Sequence, residues 1–145
     1  MSDTDQQTAV CNPPATRKIE KPRVLVGDND HKFRSRLVEM LEGAYNVEVE
    51  HVDSAKKLAE RARSGDFVVI ITDGIYEGVA YDGMATIGEL RAERNMTPMV
   101  MLTSCDSPDV KANIERYRLA HVVLKGDNEG LTTILNNYLS GHRRR

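Results

Sequence analysis

The chain alternates between short apolar segments typical of strands and longer segments in which apolar residues recur at helical spacing. Five segments are predicted to be strands: Arg23–Val26, Val47–Val52, Phe67–Thr72, Pro98–Thr103 and His121–Lys125. The third is an almost unbroken apolar run, which predicts a strand covered on both faces, as in a parallel sheet. The second alternates between apolar and polar residues, which predicts a strand nearer a sheet edge.

Five helix-like segments follow these strands in turn. Their apolar positions are Phe33, Leu37, Met40 and Leu41; Ala55, Leu58, Ala59 and Ala62; Met84, Ile87 and Leu90; Val110, Ile114 and Tyr117; and Leu131, Ile134, Leu135 and Tyr138. Gly43 and Gly65 are predicted to end the first two helices, and Ser54 and Asp82 to cap the second and third. Regular alternation predicts an α/β domain with a doubly wound, five-stranded parallel sheet, for which 2-1-3-4-5 is one of the two common strand orders.

The 145 residues are enough for one domain with a proper core and too few for two. Residues 1–21 are polar, contain Pro13 and Pro14 and show no sustained period, so we expect a flexible N-terminal tail. Residues 22–140 are predicted to form the domain. Residues 141–145 are predicted to be a solvated basic tail, with the start of a linker in a longer protein as the alternative.

The formal net charge of −2 provides no basic field of the kind that nucleic-acid binding requires, so we expect no nucleic acid partner for this chain. No apolar stretch approaches the length of a bilayer span, so we expect no membrane association. Cys11 and Cys105 lie far apart, and no signal peptide is recognised at the start of the sequence. These features predict free thiols and a cytoplasmic location.

Chemistry is predicted where the strands end, because parallel strands all point the same way and their carboxyl ends meet at one edge of the sheet. The residues that follow or end the strands are Asp28, Asn29, Asp30, Asp73, Thr103, Ser104 and Lys125. We expect Asp73 to lie just beyond its strand, because a charge inside a covered strand carries a heavy desolvation cost. In the order 2-1-3-4-5, Asp28 and Asp73 then face each other across neighbouring strands.

Two carboxylates about 5 Å apart repel by roughly 3 kcal/mol at an effective dielectric constant of about 20, so such a cluster favours a cation. A site with few carboxylates and other oxygen ligands suits Mg²⁺, which commonly binds together with phosphate. Lys125 and the Thr103 hydroxyl are suited to hold phosphoryl oxygens. Asp73 is then a candidate nucleophile for phosphoryl transfer, with an acyl phosphate as the product.

These residues lie in motifs that resemble the receiver domain of two-component response regulators, over about Arg23–Leu139. The motifs occur in the order and on the elements expected for that family: "VLVGDND", "IITDG", "DGM", "MLTS" and "VLKG". In length the chain is similar to the stand-alone chemotaxis regulator. The resemblance implies a signalling switch with the flavodoxin-like receiver fold, and at most self-phosphorylation and self-dephosphorylation in place of enzymatic turnover.

The resemblance also implies roles for individual residues. Asp73 would accept a phosphoryl group from a histidine kinase or a phosphotransfer protein. Thr103 and Lys125 would sense that group and shift the surface of the fourth predicted helix and the fifth strand, to which a downstream protein binds. A homodimer is one of the assembly states left open. The implied Mg²⁺ ligands are Asp28, Asn29, Asp73 and the backbone carbonyl of Ile75.

The sequence departs from the family pattern at four places. Asn29 stands where the second acid is usual, Gly126 where a proline follows the lysine, and Val122 where an aromatic switch residue is common. The segment between Asp73 and Gly83 is longer than usual and lacks the customary proline. These departures favour an alternative, a pseudo-receiver that binds proteins without phosphorylation. A third interpretation is a phosphatase or a flavin carrier on the same fold. The sequence contains no G-x-G-x-x-G loop, which argues against it.

Overall fold

A computed structural model of the protein describes residues 21–74, 82–104, 111–112, 114–115 and 120–144. Its strands form one parallel sheet in the order β2-β1-β3-β4-β5, which confirms the predicted doubly wound topology. They are β1 (Arg23–Gly27), β2 (Glu48–Val52), β3 (Val69–Asp73), β4 (Met99–Thr103) and β5 (His121–Leu124). As predicted, β2 is at an edge, and β3, all of whose residues are buried, is at the centre.

The bounds of four helices lie within the described residues. They are α1 (His31–Ala44), α2 (Ala55–Ser64), α3 (Asp82–Ala92) and the C-terminal helix (Asn128–Leu139), which a 3₁₀ turn (Ser140–His142) follows. Of the predicted helix containing Val110, Ile114 and Tyr117, only Ile114 lies within the described residues, where it is helical and buried. No helix in the described ranges is long and apolar enough to cross a bilayer.

The core consists of two apolar layers, one on each face of the sheet. Because side chains of a strand point alternately to opposite faces, Val69 and Ile71 of β3 join the layer covered by α1 and the C-terminal helix, whereas Ile70 joins the other. The second layer is covered by α2 and α3 through Leu58 and Leu90. Helices on both faces explain why β3 reads as a continuous apolar run.

Several predicted element ends are confirmed and others are wrong. Ser54 caps α2 through a hydrogen bond from the Lys57 amide to its hydroxyl, and Gly65 follows the last residue, as predicted. The prediction that Gly43 ends the first helix is wrong, because α1 continues through it to Ala44. The extended residue Tyr45 ends α1: it is buried and donates its amide to the Leu41 carbonyl.

The predicted position of Asp73 is also wrong by one residue. Asp73 is the last residue of β3, not the first one beyond it, and it pairs with Leu102 of β4. At a strand end a carboxylate still points to the edge of the sheet, where a cation from another strand can offset the desolvation cost of its burial.

Asp82 is the first residue of α3, and the residue before it lies outside the described ranges.

Residues 141–144, predicted as part of a basic tail, are exposed but lie against the end of α1. Arg143 forms an antiparallel bridge with Tyr45. The Arg144 amide donates to the Ala44 carbonyl (2.8 Å), and its guanidinium Nε donates to the Glu42 carbonyl (2.6 Å). The segment therefore supplies donors to carbonyls that the end of a helix leaves without intrahelical partners. The predicted tail of residues 1–21 lies outside the described residues except for Lys21.

Candidate functional site

Asp28 is held at the carboxyl end of β1 by its own backbone. Its amide donates to the Val52 carbonyl (3.1 Å), which continues the pairing with β2 for one more residue. Its carboxylate is 1 % exposed, and Oδ1 accepts a hydrogen bond from the Asp30 amide (2.8 Å), an Asx turn that directs the chain into α1. The Asp28 carbonyl accepts from the Arg34 guanidinium (2.7 Å). These bonds fix the carboxylate at the edge of the sheet.

Asp73 is held at the end of the central strand. Its side chain is buried, and the chain continues through Gly74, whose amide donates to the Leu102 carbonyl (2.9 Å). Gly83 of α3 packs directly on this strand end: a Cβ at position 83 would lie 1.8 Å from the Asp73 carbonyl oxygen. Only glycine allows this approach, so α3 begins against the backbone of the residue that carries the carboxylate.

Lys125 joins these two carboxylates. It directly follows β5, and its amide donates to the Thr103 carbonyl (2.8 Å). Its Nζ lies 2.8 Å from Asp28 Oδ2 and 3.3 Å from Asp73 Oδ2, so one ammonium pairs with acids from two strands. The next residue, Gly126, has a φ of 93°, a conformation that glycine adopts readily and proline cannot.

The charges of this cluster do not cancel. Burial lowers the pKa of Lys125, but the contacts with Asp28 and Asp73 together outweigh it, so the pKa is raised and the ammonium stays protonated at neutral pH. Counted over the described residues alone, two buried carboxylates and one ammonium leave one negative charge. Asp28 Oδ2 is buried, and beyond the ion pair with Lys125 it forms no hydrogen bond among the described residues. It is thus available to an additional cation.

The structure brings some of the predicted Mg²⁺ ligands together. Asp28 and Asp73 contact the same ammonium, and Asn29 is adjacent in the chain with an exposed side chain. Ile75 lies outside the described residues. Within the described ranges there is no cluster of three or more His, Cys, Asp or Glu side chains placed to hold a metal. Two carboxylates with amide and carbonyl oxygens still fit Mg²⁺, which keeps several waters and needs few protein ligands.

The other predicted residues differ in their placement. Thr103 is the buried last residue of β4, beside the lysine strand, and Ser104 is exposed. Asp30 is exposed and caps α1: its carboxylate accepts from the amides of Lys32 and Phe33. The hydrogen bond from Phe33 is the main cause of its lowered pKa. Asp30 therefore belongs to the helix start. Val122, at the predicted switch position, is buried in the core layer under α2 and α3.

Sequence reasoning assigned Phe33 only to the core and gave Arg34 no role. The Lys125 ammonium lies 4.6 Å from the centre of the Phe33 ring, and Arg34 holds the Asp28 carbonyl. The available signal was their spacing from Asp30. A residue three positions after an N-cap lies in the first turn of its helix, and α1 begins at the edge where the strands end.

Comparisons with known proteins match the sequence to one family and the fold to several solved structures. A family model described as the response regulator receiver domain matches residues 24–136. No curated protein sequence matches the chain. Three solved structures with similar folds are the receiver domain of response regulator 1452 from Francisella, the chemotaxis protein CheY4 from Vibrio cholerae, and TrrA from Thermotoga maritima in complex with Mg²⁺ and BeF.

The Francisella domain has 22 % identity and a TM-score of 0.69, with 81 % of this chain and 95 % of that chain covered. The Vibrio protein has 24 % identity and a TM-score of 0.70, with 82 % and 99 % covered. The Thermotoga protein has 23 % identity and a TM-score of 0.67, with 81 % and 99 % covered. At these identities the structures establish a shared fold.

Proposed function

Because this chain belongs to the response regulator receiver domain family, whose members are signalling switches of two-component systems, we propose that Asp73 accepts a phosphoryl group in the presence of Mg²⁺. The observation that carries the proposal is the position of the Lys125 ammonium, 2.8 Å from one buried carboxylate and 3.3 Å from the other. A cation between two acids at a strand edge is suited to receive a group that is itself anionic.

In the proposed reaction a carboxylate oxygen of Asp73 attacks the phosphorus of a phosphohistidine on a histidine kinase or phosphotransfer protein. The bond between phosphorus and the imidazole nitrogen breaks, its electron pair stays on the nitrogen, and an acyl phosphate forms on Asp73. Asp28, Asn29, Asp73 and the Ile75 carbonyl would hold Mg²⁺, which when bound supplies positive charge to the carboxylates and phosphoryl oxygens. Lys125 and the Thr103 hydroxyl would hold phosphoryl oxygens.

The phosphorylated state would differ from the resting one mainly at Lys125. In the resting protein its ammonium pairs with Asp28 and Asp73. A phosphoryl group on Asp73 would offer the ammonium more negative charge at closer range. A shift of Lys125 and Thr103 toward that group would change the population of surface conformations that a downstream protein recognises. The proposal includes a downstream protein as the partner and a cytoplasmic location.

The test is phosphorylation by a small donor. The protein is incubated with acetyl phosphate and Mg²⁺, and intact-mass and peptide spectra are recorded. We expect one added phosphoryl group on Asp73, lost in Asp73→Asn and retained in Asp30→Asn, whose exposed side chain caps α1. An unmodified wild-type protein, under conditions that label an ordinary receiver, would overturn the proposal.

A pseudo-receiver is the second candidate, and specific observations favour it. Asn29 adds no charge to the site and its side chain is exposed, Gly126 replaces the proline that follows the family's lysine, and Val122 has no ring to move. In this case binding to partner proteins would not depend on phosphate. Unchanged binding of a captured partner by Asp73→Asn would support it, and loss of binding would argue for the phosphorylated switch.

A further inference from the structure

The Lys125 ammonium has a third neighbour besides the two carboxylates. It lies over the ring of Phe33, 4.6 Å from the ring centre, within the distance at which a cation is attracted by an aromatic face. Phe33 is the third residue of α1, and its amide is bound by the Asp30 carboxylate (3.2 Å). The backbone that carries the ring is thus fixed by the helix cap.

The rest of the surroundings leave the lysine side chain room to move. Lys125 is followed by Gly126, around which there is open space, and the lysine side chain is 21 % exposed. A cavity of about 380 Å³ between α1 and the C-terminal helix adjoins it, lined by Leu37 and Leu131 as well as by Phe33 and Lys125 themselves. A flexible four-carbon side chain beside this space can vary in conformation, and with it the distance between the ammonium and the acids.

We propose that Phe33 is a positioning residue whose ring keeps the Lys125 ammonium directed toward Asp28 and Asp73. Without the ring, the ammonium keeps its ion pairs but varies more widely in its distance from the acids. The consequence for phosphoryl transfer rests on the proposed function of Asp73. The contact itself does not, and it can be measured in the resting protein.

The experiment compares Phe33→Leu, which keeps an apolar side chain without an aromatic face, with Phe33→Tyr, which keeps the face. Met40→Leu is the matched control, because Met40 lines the same cavity from α1. The first measurement is the NMR shift of the Lys125 ε-methylene protons, which a ring below the ammonium moves upfield. We expect the upfield shift in the wild type, Phe33→Tyr and Met40→Leu, and its loss in Phe33→Leu.

The second measurement is the rate at which acetyl phosphate and Mg²⁺ phosphorylate Asp73. We expect this rate to fall roughly threefold to tenfold in Phe33→Leu, the range that a cation–π contact supports, and to stay near wild type in Phe33→Tyr. Should Phe33→Leu unfold, Phe33→Met is the second apolar replacement.

An unshifted Lys125 resonance in the wild type, or equal losses in the leucine and tyrosine variants, would overturn the proposal. A wild-type protein that is never phosphorylated would instead refute the function of Asp73, and the NMR comparison would still decide the contact.

Discussion

Replacing Lys125 with methionine removes the ammonium that lies between two buried carboxylates and keeps an unbranched side chain of similar length. At 2.8 and 3.3 Å, the Coulomb attraction to each acid is about 5 to 6 kcal/mol at an effective dielectric constant of about 20. Desolvation of the three ions offsets much of this. Because removing one partner leaves the other charges buried and uncompensated, we expect a loss of about 3 kcal/mol in the free energy of unfolding.

The assay is urea denaturation of the wild type, Lys125→Met and Lys57→Met. Lys57 is the matched control, because it pairs with Asp53 at the surface (3.0 Å) and surface ion pairs contribute little to stability. Adding Asp28→Asn to Lys125→Met should recover part of the loss, since one uncompensated charge is then removed. Mg²⁺ should stabilise Lys125→Met more than the wild type, because the ion then meets two acids whose charge the ammonium no longer offsets.

Two results would refute this reasoning. One is a Lys125→Met protein as stable as Lys57→Met, which would mean that the ammonium does not offset the burial of the acids. The other is an equal effect of Asp28→Asn on the free energy of unfolding in the wild type and in Lys125→Met. The two residues would then not be coupled.

Three further predictions concern stability. In α3, Gly83→Ala should destabilise the domain by about 2 to 3 kcal/mol because its Cβ meets the backbone of β3, whereas Gly88→Ala, with open space around it, should stabilise by roughly 0.5 to 1 kcal/mol in urea denaturation. The hydrogen bond from Arg61 lowers the pKa of Glu50 in the folded protein. The stability that the Glu50 carboxylate contributes is therefore present above the pKa of the unfolded state, and it is lost as the pH falls through the lower pKa of the folded state. The wild type should therefore exceed Glu50→Gln in stability at neutral pH, with a difference that disappears in acid. Arg144→Ala removes a donor to a carbonyl at the end of α1 and should lower the free energy of unfolding by about 0.5 to 1 kcal/mol. The lower stability should appear as a lower midpoint of thermal unfolding.

Each of these has a contradicting outcome. Similar effects of the two alanine substitutions in α3 would show that the strand end tolerates a side chain at position 83. A difference between wild type and Glu50→Gln that persists unchanged at low pH would exclude the carboxylate charge as its source. An Arg144→Ala protein with the wild-type unfolding midpoint would show that its guanidinium contributes nothing there.

The doubly wound architecture was predictable because it depends on features that are local in sequence. The apolar run ending at Ile71 and the alternation before Val52 each report how a strand is covered, and strict alternation with helices leaves few topologies. Element ends were less predictable. Asp73 belongs to β3 because it pairs with Leu102, and α1 passes Gly43 because the buried Tyr45 determines where the chain turns. Both depend on contacts between distant residues.

The candidate site was also predictable only in part. That Asp28, Asp73 and Lys125 meet at one edge follows from parallel strands alone, and their separation confirms the expected convergence. The contact between Phe33 and Lys125 was not predicted, because the spacing from Asp30 places Phe33 in the first turn of α1 but does not say which neighbour that turn faces. The packing of Arg144 against α1 was also missed, since a run of arginines carries no apolar pattern.

The central position of β3 has a consequence for hydrogen exchange. Residues Ile70–Thr72 are paired on one side with β1 and on the other with β4, and their side chains are buried. Their amides can exchange with deuterium only when the sheet separates into two parts, which requires nearly the full free energy of unfolding, whereas the edge strand β2 can open by itself. Asp73 is thus anchored on a strand whose amides we expect to exchange slowly, and we expect local opening near it to occur in segments beyond the strands, such as the turn after Lys125.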